Sequence, residues 1–211
     1  MVLKIHGVAQ STCTRRVALI CKEKNVPYEI VPVNFQTGEH KSPAHLEKQP
    51  FGQVPYIDDD GFIIFESRAI SRYIATKYAD QGTPGLIPTD LKAVAIFEQA
   101  ASIEVNDFEP YAGGICLEKI FKPNRGVKTD EARAAELAAT LESKLEGYER
   151  ILSKQRYLAG DNVTLADLFH LPYGNSITVL GYGHLSKTPN VARWWKDISS
   201  RASWQSVKDS A

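Results

Sequence analysis

Three hydroxyls and a thiol sit together in Ser11-Thr12-Cys13-Thr14, directly before Val17, Leu19, Ile20 and Cys21, whose spacing gives one apolar helical face. The first amides of a helix lack internal partners and its dipole is positive there, so negative charge is favoured. Ser11 in such a place is most simply a cap. Its chemical use would be to stabilise an anionic atom brought from elsewhere. Cys13 is exposed to the same field, which lowers a thiol pKa. A second junction, Glu66-Ser67, separates the apolar run Phe62 to Phe65 from the helical spacing of Ala69, Ile70, Tyr73, Ile74 and Tyr78. Free amides and the Ser67 hydroxyl there suit a carboxylate, and Glu66 suits an ammonium; the plainer reading is a helix cap beside an acid. His40 and Lys41 form a cationic pair in a polar stretch, fit for a second carboxylate or merely solvated.

The elements that must position these groups follow from pattern. Residues 2 to 7 read as a strand, Ser11 to Lys24 as a helix ended by Asn25-Val26-Pro27, and Tyr28 to Val33 as a second strand. Gln36 to Ser42 is loop-like. Val54 to Ile57 and Phe62 to Phe65 flank Asp58-Asp59-Asp60-Gly61, whose Asp-Gly is a hairpin signal. A helix from Glu66 to Tyr78 completes the order β-α-β, loop, β-β-α. Gly82-Thr83-Pro84-Gly85-Leu86-Ile87-Pro88 is the densest Gly/Pro stretch, and the chain beyond it is helical. Domains are therefore expected at 1–80 and 91–211, with 81–90 as linker. In the second, Leu137, Leu141, Leu145, Tyr148 and Leu152 form a core stripe on a helix from about Thr129 to Ser153, and Asp130 and Glu131 suit its positive end. Thr164 and Asp167 form a capping box with Val163 set to pack on Leu168, and Trp194, Trp195 and Trp204 read as packing residues.

Composition narrows the classes of function. Lysine plus arginine and aspartate plus glutamate number 25 each, so no net field drives binding to nucleic acid or to an anionic membrane. No window approaches the roughly 18 apolar residues of a spanning helix. The first residues lack a signal-peptide pattern. Cys13, Cys21 and Cys116 are odd in number and lack metal-ligand spacing, which fits free thiols in a reducing compartment, by default the cytoplasm, and no metal.

Two segments are more specific: Gln49-Pro50-Phe51-Gly52-Gln53-Val54-Pro55 and Phe65-Glu66-Ser67-Arg68-Ala69-Ile70. They resemble the glutathione-binding signature of soluble glutathione transferases. The resemblance continues through Leu158-Ala159-Gly160-Asp161 and the Thr164-to-Asp167 box, covering nearly the whole chain. Ser11-Thr-Cys-Thr-Arg-Arg-Val and Gly38-Glu-His-Lys41 look most like the serine-type phi class. The fold so implied is an α/β N-terminal thioredoxin-like domain, β-α-β-α-β-β-α, plus an all-α C-terminal helical domain. The implied activity is conjugation of glutathione, as co-substrate, to small hydrophobic electrophiles in detoxification, a transfer to alkyl or aryl groups, with a peroxidase side activity conceivable. The family is normally homodimeric, and Phe51 matches a place where some classes insert an aromatic into the partner subunit.

The resemblance also distributes roles. Ser67 and Glu66 would take the γ-glutamyl end, and a cis Val54-Pro55 bond would present Val54 to the cysteinyl part as an added strand. His40, Lys41 and Gln53 would take the glycyl carboxylate, and Ser11 is the catalytic hydroxyl with Thr12 next to it. Only about 3 per cent of a thiol with a pKa near 8.5 is ionised at pH 7. Lowering that pKa by two units requires ~2.7 kcal/mol. A hydrogen bond to a charged group supplies ~1.5 to 3, and a helix N-terminus adds ~0.3 to 1, so one hydroxyl suffices without a histidine base. Thr12, Phe35, Tyr111, Ile115 and Phe121 are candidates for a hydrophobic pocket between the domains, with core packing equally open for each. Two other readings stand beside this one: a thiol transferase working through Cys13, and a carrier of hydrophobic ligands with little turnover.

Overall fold

The structure, a computed structural model, describes residues 2–211. They fall into two compact units, one running through Leu86 and including Ala202–Ala211, the other comprising Ile87–Arg201. The break thus lies inside the expected linker. The last ten residues group with the first unit, whereas the sequence pattern assigned them to the second.

The first unit is built on a four-stranded mixed sheet of order β2-β1-β3-β4. Strand β1 (Leu3–Gly7) pairs parallel with β2 (Tyr28–Pro32) across helix α1 (Thr12–Glu23), the connection a parallel pair requires. On its other side β1 pairs antiparallel with β3 (Tyr56–Asp59), which pairs antiparallel with β4 (Phe62–Phe65). Asp59 lies opposite Phe62, so the turn is the two residues Asp60 and Gly61, with φ of 58° and 86°. Positive φ at both central positions is what a primed hairpin turn demands, and Asp-Gly meets it. Strand β3 starts two residues later than the expected strand, because the cis Val54–Pro55 bond lies just before it. The segment expected to be a plain loop contains a 3₁₀ turn (Glu39–Lys41), followed by the short helix α2 (Pro43–Leu46), which supplies the second helix of the β-α-β-α-β-β-α order. Helix α3 (Ser67–Lys77) follows β4 and packs against α1; Leu3, Ile5, Val17, Ile20, Ile57, Ile70 and Ile74 form the core.

The second unit is helical: α4 (Leu91–Ile103), α5 (Glu109–Cys116), α6 (Lys122–Asn124), α7 (Glu131–Leu152), α8 (Leu165–Leu168), α9 (Leu171–Val179) and α10 (Pro189–Ser199). One-turn π-helical stretches at Glu104–Phe108 and Leu117–Phe121 precede α5 and α6. Each lies just ahead of a proline, Pro110 or Pro123. A proline offers no N–H and its ring crowds the carbonyl four residues back, and a widened turn accommodates both. The stripe on α7 is buried as its spacing predicts, and Asp130 caps the helix by accepting from the Arg133 amide at 2.9 Å.

Asp167 organises the far side of this unit. Its capping box with Thr164 is present. Its carboxylate also accepts from the amides of Leu158 and Thr164, from the Thr164 hydroxyl and from the Trp194 indole, at 2.9 to 3.0 Å. Burial pushes its carboxyl pKa up, while these donors pull the other way. Trp194, Trp195 and Trp204 are buried, as packing residues should be. Among the described residues no helix is long and apolar enough to cross a membrane.

Thr164→Ala removes one cap and should cost about 0.5 to 2 kcal/mol. Asp167→Ala strands three buried N–H donors at about 1 to 3 kcal/mol each, so calorimetry should show a loss of at least about 3 kcal/mol, or no folded protein. Equal losses for the two variants would show that Asp167 does not hold this region together.

Candidate active site

Ser11 is the N-cap of α1, with extended backbone (φ −65°, ψ 133°), and its hydroxyl oxygen accepts from the Thr14 amide at 3.4 Å. Since the oxygen is used as acceptor, its own hydrogen remains available to donate. Thr12, one residue on, is buried, whereas Ser11 is half-buried. Cys13 is half-buried, with its sulfur 3.7 Å from the Arg16 guanidinium. Burial pushes the Cys21 thiol up to a pKa of about 12, and Cys116 is also buried.

Arg16 was not singled out from the sequence. It is 0% exposed on the buried side of α1, and it donates to the Ser67 hydroxyl at 2.8 Å, joining the first half of α1 to the start of α3. With its oxygen engaged by a guanidinium, Ser67 keeps its proton for an outside acceptor. The only local signal was an arginine among residues predicted to face the core. Glu66 precedes α3 with φ 68° and ψ 106°, a region that side-chain-bearing residues seldom occupy. Its side chain makes no cap bond and the residue is exposed, so the strained backbone places an acid at the surface beside a helix start.

The third group lies around the 3₁₀ turn and the segment after α2. Lys41 donates to the Phe51 carbonyl at 2.9 Å, and His40 stacks on Phe35 with ring centroids 4.1 Å apart. Gly52, at φ 61°, lets these pieces meet: a Cβ there would stand 2.6 Å from the Lys41 ammonium and 2.7 Å from the His40 carbonyl. Both backbone groups of Gln53 are held by α2 and its continuation. Its amide donates to Gln49 Oε1 at 3.0 Å, and its carbonyl accepts from His45 Nε2 at 2.8 Å. That fixes the approach to Val54, which stands outside the β3 ladder before cis Pro55. His45 and Gln49 are therefore supports that spacing alone did not mark.

The remaining candidates belong to the helical unit. Tyr111 on α5 and Phe121 in the second π-helical stretch are half-buried. Ile115 is 0% exposed, so its side chain is core and leaves the list of pocket residues. Among the described residues no group of three or more histidine, cysteine or acidic side chains could hold a metal ion.

A mixed βαβαββα sheet domain with hydroxyls at two helix starts, followed by a helical domain, defines the class of protein. Residues 1–76 match the family model "Glutathione S-transferase, N-terminal domain" and residues 95–202 match "Glutathione S-transferase, C-terminal domain". The chain belongs to the glutathione S-transferase family. It is 49% identical to glutathione S-transferase PM239X14 of Arabidopsis thaliana, over 92% of this chain and 89% of that one. Its fold is similar to that of glutathione transferase F7 from Populus trichocarpa, with TM-score 0.93 and 39% identity over 98% and 97% of the two chains. It is also similar to maize glutathione S-transferase I in complex with an atrazine glutathione conjugate, with TM-score 0.91 and 36% identity over 99% and 97%. The relatives of F type place it near the plant phi class.

If the conformation of Glu66 is strained, two substitutions that both delete its carboxylate will differ in stability. Glu66→Gly relieves the backbone at φ 68° and Glu66→Ala does not, so the glycine variant should be the more stable of the pair by about 1 kcal/mol, against the usual cost of glycine. Denaturant unfolding of both decides this; an alanine variant at least as stable would remove the strain argument.

Proposed function

We propose that this chain transfers glutathione to small hydrophobic electrophiles, with the Ser11 hydroxyl donating a hydrogen bond to the glutathione sulfur and holding it as thiolate. The observation that carries this is the position of Ser11: it caps α1 through its oxygen, which leaves its hydrogen available to a group bound at the helix start. The thiolate attacks the electrophilic carbon, the carbon–sulfur bond forms as the leaving group departs or the electrons move onto an acceptor, and Ser11 itself is never acylated. A donor that is stronger toward S⁻ than toward S–H stabilises the charged state selectively, which is the requirement for lowering the pKa.

The other groups distribute over the tripeptide by charge. Ser67 and the first amides of α3 take the γ-glutamyl carboxylate, with Arg16 behind Ser67 and Glu66 toward the ammonium. The backbone of Val54, before Pro55, pairs with the cysteinyl unit in the manner of an added strand. His40, Lys41 and Gln53 receive the glycyl carboxylate; Lys41 has two N–H donors left beyond the one given to Phe51. For the electrophile we assign Thr12 and Phe35, which lie on the same unit as Ser11. The chain is proposed to work as a cytoplasmic homodimer in detoxification, with Phe51, 64% exposed, as an anchor in the partner. One observation favours a second activity, thiol transfer through Cys13: its half-buried sulfur lies 3.7 Å from the Arg16 guanidinium near the start of α1.

Thiolate is the reactive form, so the rate rises as pH passes upward through the pKa of the bound thiol. Ser11→Ala should move that limb to higher pH and lower kcat at neutral pH by about 10- to 100-fold, the worth of ~1.5 to 3 kcal/mol, whereas Cys13→Ser leaves conjugation intact. Turnover of a chloronitrobenzene across pH reads both; a Ser11→Ala enzyme with the parent's profile would end the assignment. Sedimentation at micromolar protein should give twice the chain mass, and a single-chain mass would rule out the dimer.

A further inference from the structure

Residues 202–211 belong to the sheet-containing unit yet take no part in its sheet. They run beside α1 in the opposite direction. Helix α11 (Ala202–Gln205) contacts α1, and the Ser203 hydroxyl bonds to the Glu23 carboxylate at that helix's last residue. Trp204 and Val207 are then fully buried. Further along, the Arg15 guanidinium donates to the Lys208 carbonyl, and the Ala211 amide donates to the Ala9 carbonyl at 3.0 Å. The segment therefore begins at the C-terminal end of α1 and finishes at the turn that leads into it.

That turn is where placement matters. Val8 to Ser11 form four residues closed by one internal bond, from the Ser11 amide to the Val8 carbonyl at 2.8 Å. A surface turn with a single bond of its own has several accessible arrangements. The Ala211 bond grips it two residues before Ser11, and the Arg15 bond grips α1 four residues after. We infer that residues 208–211 are positioning residues for the Ser11 hydroxyl, holding the turn in the one arrangement that points its hydrogen at a bound sulfur. This rests on the reading of Ser11 given above. A hydrogen bond weakens steeply with misalignment, so a small displacement of the turn raises the thiol pKa without removing any group that touches glutathione. Ser203, at the other end of a twelve-residue helix, is about 18 Å away along its axis and contributes to stability alone.

The test uses the full chain with glutathione as probe, and reads the ultraviolet absorbance of the bound thiolate against pH together with kcat, KM and Tm. Ala211→Pro deletes the N–H that grips Ala9. It should raise the apparent thiol pKa by about half a pH unit, roughly a threefold fall in the thiol's ionisation constant, with KM for glutathione changed by less than about twofold. A chain stopped at Asp209, which keeps the Arg15 bond to Lys208, should show the same shift. Ser203→Ala should lower Tm and leave the thiol pKa where it was. If Ser11→Ala raises the pKa while Ala211→Pro and the shortened chain keep the parent value, the positioning role is wrong and the reading of Ser11 stands. If Ser203→Ala shifts the pKa as much as Ala211→Pro does, the effect is general loosening and the inference also fails. A Ser11→Ala enzyme with an unshifted thiol would overturn both together.

Discussion

A guanidinium without water around it must be met by hydrogen-bond acceptors, because leaving a buried charge uncompensated costs several kcal/mol. Arg16 is such a group, and the geometry of the glutathione domain is arranged around it. It sits on the face of α1 that packs toward α3, and the acceptor it finds there is the Ser67 hydroxyl at the first residue of α3. The two helix starts are thereby locked to each other. Each contributes the positive end of its helix dipole and a hydroxyl, and the cation between them adds to both positive ends. The same guanidinium nitrogen also lies 3.7 Å from the sulfur of Cys13, so one side chain touches two side chains near the helix starts.

The opposite end of the ligand region is held by smaller devices. Gly52 has no side chain where one would strike Lys41 and the His40 backbone, and only this allows the 3₁₀ turn and the segment before Val54 to touch. Gln49 and His45 then satisfy both backbone groups of Gln53, leaving little freedom in the residues that enter the cis Val54–Pro55 bond. A buried polar group without a partner is costly, so these side-chain bonds also explain how an irregular stretch persists beside a regular sheet. Glu66 shows the converse economy: unfavourable backbone angles are tolerated because β4 and α3 determine both sides of it.

The helical unit solves a different problem. Its long helix α7 is a simple amphipathic element, but α5 and α6 each carry a proline near the start, and each is entered through a π-helical turn. Around Asp167, by contrast, the chain gathers four donors onto one buried carboxylate, which orders the segment from Leu158 to α8 and fixes Trp194 of α10. Neither feature touches a reacting atom. The π-helical turns lead into α5, which carries Tyr111, and include Phe121 itself.

The amino-acid sequence by itself determined much that depends on a few neighbouring residues: the strand order with helices α1 and α3, though not the short α2, the Asp60-Gly61 turn, the α7 stripe, the Thr164–Asp167 cap, and hydroxyls at the heads of α1 and α3. Periodicity and capping act over one or two turns, so they can be read without knowing what lies across the core. Tertiary structure alone decided that Arg16 meets Ser67, 51 positions away, that Ile115 is core, and that residues 202–211 return to α1. These outcomes depend on which faces are buried together and which donors then lack water. Such partners are chosen by packing in three dimensions, and distance along the chain carries no information about them.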